Sequence, residues 1–114
     1  MLDNFDDDFL EIIYLKNILY CQNFCESTNI EYYFTLGTAR PKTKMQGSLE
    51  KYRDSLHHHI NWENIFLVDG KYGFEEYALK INAEKASDNS HFGLEYHRLF
   101  GKLFLDWILA KKQV

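Results

Sequence analysis

The feature that most constrains this chain is its first segment. From Asp3 to about Glu26 no glycine or proline interrupts a run whose apolar residues recur at the α-helical period. Leu2, Phe5, Phe9, Ile12, Ile13, Leu19, Tyr20 and Phe24 share one broad face. Leu10, Tyr14, Ile18, Cys21 and Cys25 extend it almost around the helix, leaving a narrow polar strip at Asn4, Asp8, Glu11, Gln22 and Glu26. A helix this apolar is expected to be buried on most sides. Asp3 or Asn4 can cap its first turn, where Asp6 and Asp7 meet the positive end of the helix dipole.

The rest of the chain follows from that axis. With one proline and six glycines in 114 residues, breaks are few and long elements are expected. Ser27-Thr28-Asn29 ends the first helix, and alternation of Ile30, Tyr32, Phe34 and Leu36 with Glu31, Tyr33, Thr35 and Gly37 predicts a strand. A basic loop spans Pro41 to Gly47, and Ser48 can cap a short helix to about His59, with Lys51 and Arg53 on its outer side. Ile65 to Val68 reads as a buried strand. The turn residues Asp69 to Gly73 then join it to a second run, Tyr77 to Ala83, as a hairpin. Ser90 can cap a final helix to about Lys112. The expected fold is therefore α+β, one domain over residues 1–114. Long N-terminal and C-terminal helices pack on an antiparallel sheet of about three strands, with one short helix between.

The last helix carries a main apolar face through Phe92, Tyr96, Leu99, Phe100, Leu103, Phe104 and Trp107. A second apolar stripe, Leu94, Leu105, Ile108 and Leu109, borders Gly101. One stripe suffices for a surface helix, and a mid-helix glycine costs roughly 1 kcal/mol against alanine unless a backbone approaches closely. Either the first helix covers the second stripe, or a partner or second copy of the chain does.

Charge is segregated. Residues 1–31 carry seven acids against Lys16 alone, a balance of −6, whereas residues 40–53 carry Arg40, Lys42, Lys44, Lys51 and Arg53 against Glu50, a balance of +4. Such patches steer partners, or are simply two solvated surfaces. The N-terminus has no basic leader and no apolar run reaches the roughly 18 residues that span a bilayer, so a cytoplasmic protein without a membrane anchor is expected. Cys21 and Cys25 match neither a disulfide framework nor a zinc pattern, and read as reduced, buried, small apolar residues.

Chemistry is harder to find. His57, His58 and His59 are consecutive, so on a helix they point about 100° apart and cannot all hold one ion. Together with His91, His97, Glu75, Glu76 and Lys80 they could serve a small RNA-processing or metal-dependent nuclease. The Glu-x-Lys spacing of restriction-type nuclease cores is absent, however, and the net charge of −4 disfavours nucleic acid as partner. No glycine-rich phosphate loop or Gly-x-Ser-x-Gly occurs, so no catalytic residue, metal or cofactor is assigned. The reading these features favour is a small protein-binding or inhibitor module. Its composition, rich in Lys, Asn, Ile, Tyr and Phe, suits an immunity protein, antitoxin or counter-defence factor of a low-GC bacterium or phage. Asp6, Asp7, Asp8, Glu11, Tyr33, Arg40, Lys42, Lys44 and Arg53 are its expected partner-binding residues. Leu94, Gly101, Leu105, Ile108 and Leu109 are the expected interface of a homodimer.

Overall fold

The elements run α1 (Leu2–Ser27), β1 (Phe34–Thr35), α2 (Gly47–His59), a 3-10 turn (Trp62–Asn64), β2 (Ile65–Phe66), α3 (Phe74–Lys80) and α4 (Leu94–Lys112). The structure, a computed structural model, describes residues 2–38, 45 and 47–113, with side chains from Asp7 onward. Among the described residues the fold is mixed α+β and dominated by its four helices. The chain gathers into two compact units, Met1–Tyr32 with Arg40–Glu63 and Tyr33–Ala39 with Asn64–Val114.

In the first unit α1 packs on α2. Glu11, Ile12, Leu15, Ile18 and Gln22 supply the buried face of α1, and Arg53 and Leu56 that of α2. These positions recur every three to four residues, so one stripe of each helix is used. The C-terminus of α1 is closed by Asn29, whose φ of 61° is left-handed. The Asn29 and Ile30 amides turn back to the Glu26 and Cys25 carbonyls at 3.2 and 2.8 Å. That pair of bonds is a Schellman closure with asparagine standing where glycine is usual. The expected break at residues 27–29 is present.

The second unit contains the sheet, and here the expectation changes. β1 and β2 pair in parallel, with Phe34 opposite Ile65 and Thr35 opposite Phe66, and Thr35 Oγ1 donates to the Phe66 carbonyl at 3.1 Å. No third antiparallel strand is found among the described residues. The turn at Asp69 and Gly70 does form, both at positive φ, and is pinned by the Val68–Tyr72 bridge. The run after it is α3, not a strand. Its first free amides, on Phe74 and Glu75, donate to the Leu36 and Gly37 carbonyls beyond β1 at 2.9 and 2.8 Å. The Glu76 carboxylate accepts the Gly73 amide at 2.9 Å, which completes the start of the helix.

α3 ends by the same device as α1. Asn82 has φ 54°, and the Asn82 and Ala83 amides return to the Leu79 and Ala78 carbonyls. Residues 84–93 then form a small loop closed by the Lys85–Phe92 bridge. Its tip is held by Asp88, whose Oδ1 accepts the Ser90 and His91 amides, both at 3.0 Å. Ser90 is thus part of a turn instead of a helix cap, and α4 begins at Leu94 after Gly93. A side chain on Gly93 would come within 3.1 Å of the Glu84 carbonyl oxygen, so this close approach depends on glycine.

The core of this unit is aromatic. Phe66, Val68, Ala78, Tyr96 and Phe100 are buried, with Phe74, Phe104 and Trp107 packed against them. Phe66 meets the rings of Phe100, Phe104 and Trp107 at 5.5–5.7 Å between centroids. The Tyr96 hydroxyl donates to the Phe74 carbonyl, and burial pushes its phenol up to about 12.

Candidate functional site

The exposed faces of the two long helices are where this chain has surface to spare. α1 is not buried on most sides. Two residues of its polar strip, Glu11 and Gln22, are turned inward and face α2. Gln22 donates from Nε2 to the His59 carbonyl at 3.0 Å and accepts the Asn61 amide at 2.6 Å. Glu11 lies 3.9 Å from Arg53, which is 2% exposed and also faces Glu50 at 3.7 Å and Asp54 at 3.4 Å. The opposite face is apolar and open: Leu10 is 50% exposed, Ile13 38%, Tyr20 76% and Phe24 57%. Cys21, expected to be buried, is exposed on that side, and Cys25 is half-buried. Sequence periodicity missed this inversion because it assigns polar residues to solvent by default.

The expected partner-binding residues therefore scatter. Asp7 is exposed and Asp8 half-buried, while Glu11 is buried. Arg53, expected on the outer side of α2, is buried among carboxylates because its long stem and forked head fill the α1–α2 seam. Tyr33 is half-buried and meets Trp107 edge-on at 6.0 Å. Arg40, Lys42, Lys44 and the Asp6 side chain lie outside the described residues.

On α4 the second stripe is exposed as a line: Leu94 is 64% exposed, Leu105 52% and Leu109 48%, with Ile108 half-buried. Nothing lies within 4 Å of where a Gly101 Cβ would stand. At the N-terminal end of this helix, Ile81, Ala83, Leu94 and Leu99 line an open groove of about 420 Å³ flanked by Glu84 and Glu95.

The groups weighed for catalysis have structural occupations. His57 stacks near Trp62 at 4.5 Å, and His97 lies against Phe74 at 5.1 Å. His59 Nδ1 is 2.7 Å from the Ser55 carbonyl. His91 Nδ1 is 2.6 Å from Asp88 Oδ2, and this contact, with the two amides at the same carboxylate, holds Asp88 well below the usual carboxylate range. Glu75 accepts from Thr38 Oγ1 at 3.2 Å, and Glu76 caps α3. Lys80 and Lys71 lie 5.1 and 5.2 Å from the Tyr72 ring and draw its phenol pKa down. Among the described residues no three His, Cys, Asp or Glu side chains gather as a metal site. Nor, among them, is any helix long and apolar enough to cross a membrane.

In comparisons with known proteins the chain matches no family model, no curated protein and no solved structure at a significant level.

Proposed function

We propose that this chain is a protein-binding module that works through exposed apolar lines on its long helices. The observation that carries the reading is the outward face of α1, where Leu10, Ile13, Tyr20 and Phe24 stand in solvent while Glu11, Ile12, Leu15, Ile18 and Gln22 form the buried face. Contiguous apolar surface rimmed by charge marks interaction sites, and aromatic anchors dominate their energetics. That binding blocks the partner, as in an immunity protein, antitoxin or counter-defence factor, rests on small size and composition alone.

Capture from the native host tests the reading. The wild-type chain is compared with Tyr20→Ser/Phe24→Ser on α1 and Leu105→Ser/Leu109→Ser on α4. A protein retained by the wild type and lost with one of the pairs is expected. Identical capture by all three chains would refute the reading.

The line on α4 supports a second use, a homodimer through Leu94, Gly101, Leu105, Ile108 and Leu109. The unobstructed Gly101 favours it, since a helix of a second copy can approach there to backbone contact. Leu105→Glu with Leu109→Glu then yields a folded monomer. Sedimentation that finds the wild-type chain monomeric at high concentration would sink the dimer.

A further inference from the structure

The turn before α3 and the end of that helix bring two cations to one phenol. Lys71 Nζ stands 5.2 Å and Lys80 Nζ 5.1 Å from the centre of the Tyr72 ring. Lys71 follows the left-handed pair Asp69 and Gly70, and its amide donates to the Val68 carbonyl at 3.1 Å. Tyr72 is fixed by two backbone bonds to Val68, at 2.8 and 3.0 Å. Lys80 is the last residue of α3, and because helical side chains lean towards the N-terminus it reaches back to the ring. Both lysines are exposed and the tyrosine is half-buried.

One lysine over a ring is an ordinary cation–π contact, such as Lys111 makes with Trp107 at 4.8 Å. A second on the same ring needs another reason, since the two ammoniums stand within about one Debye length, roughly 10 Å in 0.1 M salt, and repel. Lys102 has Asp106 at 3.4 Å to offset its charge. Among the described residues neither Lys71 nor Lys80 has a carboxylate at ion-pair distance. Glu76, one turn before Lys80, accepts the Gly73 amide. The cations act instead on the phenol oxygen: hydrogen bonding from Lys80, and then from Lys71, draws the Tyr72 pKa down against desolvation.

Two positive charges and a hydroxyl donor that meet at one point lack only an anion. A phosphate monoester carries about −1.5 to −2 at neutral pH and three acceptor oxygens, which match two ammoniums and one hydroxyl. A carboxylate brings a single charge on two oxygens. A nucleic acid presents a run of phosphates, and one pair of lysines on a chain of net charge −4 does not track a run.

We infer that Lys71, Tyr72 and Lys80 form a binding site for one phosphate monoester, its dianion held between the two ammoniums and accepting the Tyr72 hydroxyl. The site is separate from the apolar lines on α1 and α4 and does not depend on the protein-binding reading.

The probe is N-acetyl-O-phosphoserine amide, titrated into the full chain at about pH 7.5 and low salt while backbone amide shifts are followed by nitrogen-15 NMR. Shifts centred on Lys71, Tyr72 and Lys80 are expected, with a Kd of about 1 mM or tighter. At about pH 5, below the second pKa of the ester at about 6, the probe is mostly a monoanion and should bind at least threefold more weakly. The unphosphorylated probe and its glutamate counterpart, N-acetylglutamate α-amide, should bind at least fivefold more weakly than the phosphoserine.

Lys71→Gln and Lys80→Gln each remove one exposed charge and should weaken the phosphoserine probe at least threefold. Tyr72→Phe keeps the ring and both charges and should weaken it at least twofold. Lys111→Gln, at the single lysine over Trp107, should leave it unchanged. AMP tells the sources apart: tighter binding than the phosphoserine probe assigns the site to a small phosphate ester, equal or weaker binding to a phosphorylated protein side chain. Equal binding of the glutamate probe would overturn the inference, since any anion would then serve. So would shifts spread evenly over the lysines, or a loss in Lys111→Gln as large as in Lys71→Gln and Lys80→Gln. Unchanged shifts at a probe concentration of about 20 mM, well above the expected Kd, would also overturn it.

Discussion

Replacing Gln22 tests how the first unit is fastened. Its amide joins α1 to the end of α2 by donating to the His59 carbonyl at 3.0 Å and accepting the Asn61 amide at 2.6 Å, and the side chain is buried. Gln22→Met keeps the volume and removes both bonds. A buried group left without its partner costs about 1–3 kcal/mol. His59 is exposed and Asn61 half-buried, so water can reach part of what is lost. The expected cost is therefore in the lower range, about 2–3 kcal/mol for the pair. Urea denaturation followed by circular dichroism measures it, and hydrogen exchange at the Asn61 amide reports the same bond locally.

Gln22→Glu sharpens the test. One carboxylate oxygen can still accept from Asn61, but the other then faces the His59 carbonyl, acceptor against acceptor. The protonated acid restores the donor, so the folded-state pKa lies above the unfolded value of about 4.3. A raised folded pKa contributes stability that is fully present below the unfolded value and is lost as pH rises through the folded one. The gap between Gln22→Glu and the wild type should thus be widest at neutral pH and close on acidification towards pH 4. A Met variant within about 0.5 kcal/mol of the wild type, the range of ordinary surface changes, would refute the clamp. So would a gap for Gln22→Glu that does not move with pH.

Other expectations follow from the same contacts. Phe66→Ala removes the ring shared by Phe100, Phe104 and Trp107 and should cost about 3–5 kcal/mol, with a changed Trp107 emission; a cost below about 1 kcal/mol would deny it a central place in the core. Arg53→Met takes away the guanidinium that Glu11 faces at 3.9 Å across the α1–α2 seam and should cost a few kcal/mol, up to about 3–5, whereas Arg53→Met with Glu11→Leu should cost less than the sum of the two single changes; additive costs would show that the two side chains do not act as a pair. Asp88 should titrate well below about 3.9 in carbon-13 NMR, because His91 and the Ser90 and His91 amides hold its charged form. Since its folded pKa is depressed, the order it lends residues 86–91 is present above that value and lost as pH falls through the folded one. An ordinary midpoint would deny the turn its anchor.

The long helices were legible because they offer many repeats of one period. α3 was not, because seven residues fit two periods at once. Tyr77, Leu79 and Ile81 alternate as a strand would, yet Phe74, Tyr77, Ala78 and Ile81 also step as a helix does. The residue that decides is Asn82, which closes α3 at φ 54° as Asn29 closes α1 at φ 61°. Read as a helix stop, the one asparagine would have pointed to the other. β1 shrank from the expected run over residues 30–37 to two residues, Phe34–Thr35. Tyr32 turns its hydroxyl to Glu26 at 2.6 Å, and the bond to that carboxylate adds to desolvation in raising its phenol pKa. At the candidate site, exposed Asp7 and the stripe beside Gly101 could be placed from spacing. The burial of Glu11, Gln22 and Arg53 could not, since Glu11 meets Arg53, and Gln22 meets His59, across a seam that spacing within one helix does not reveal.

The arrangement of α1 separates what holds the fold from what is free to act. Glu11 and Gln22 supply its polar contacts with α2, and Ile12, Leu15 and Ile18 supply the apolar ones, so Tyr20 and Phe24 are not needed for that packing. If the outward face of α1 is open in solution, Tyr20→Ser/Phe24→Ser should change stability by no more than about 0.5 kcal/mol per site. The same substitution at covered aromatics would cost on the scale of a core truncation, about 3–5 kcal/mol each. Urea denaturation at two protein concentrations tells the cases apart. A small, concentration-independent change means an open face kept for a partner. A large loss at both concentrations would mean that the chain itself covers that face in solution, and the protein-binding reading of α1 would fall. A loss that grows with concentration would put a second copy there, because only self-association adds wild-type stability as the protein is concentrated.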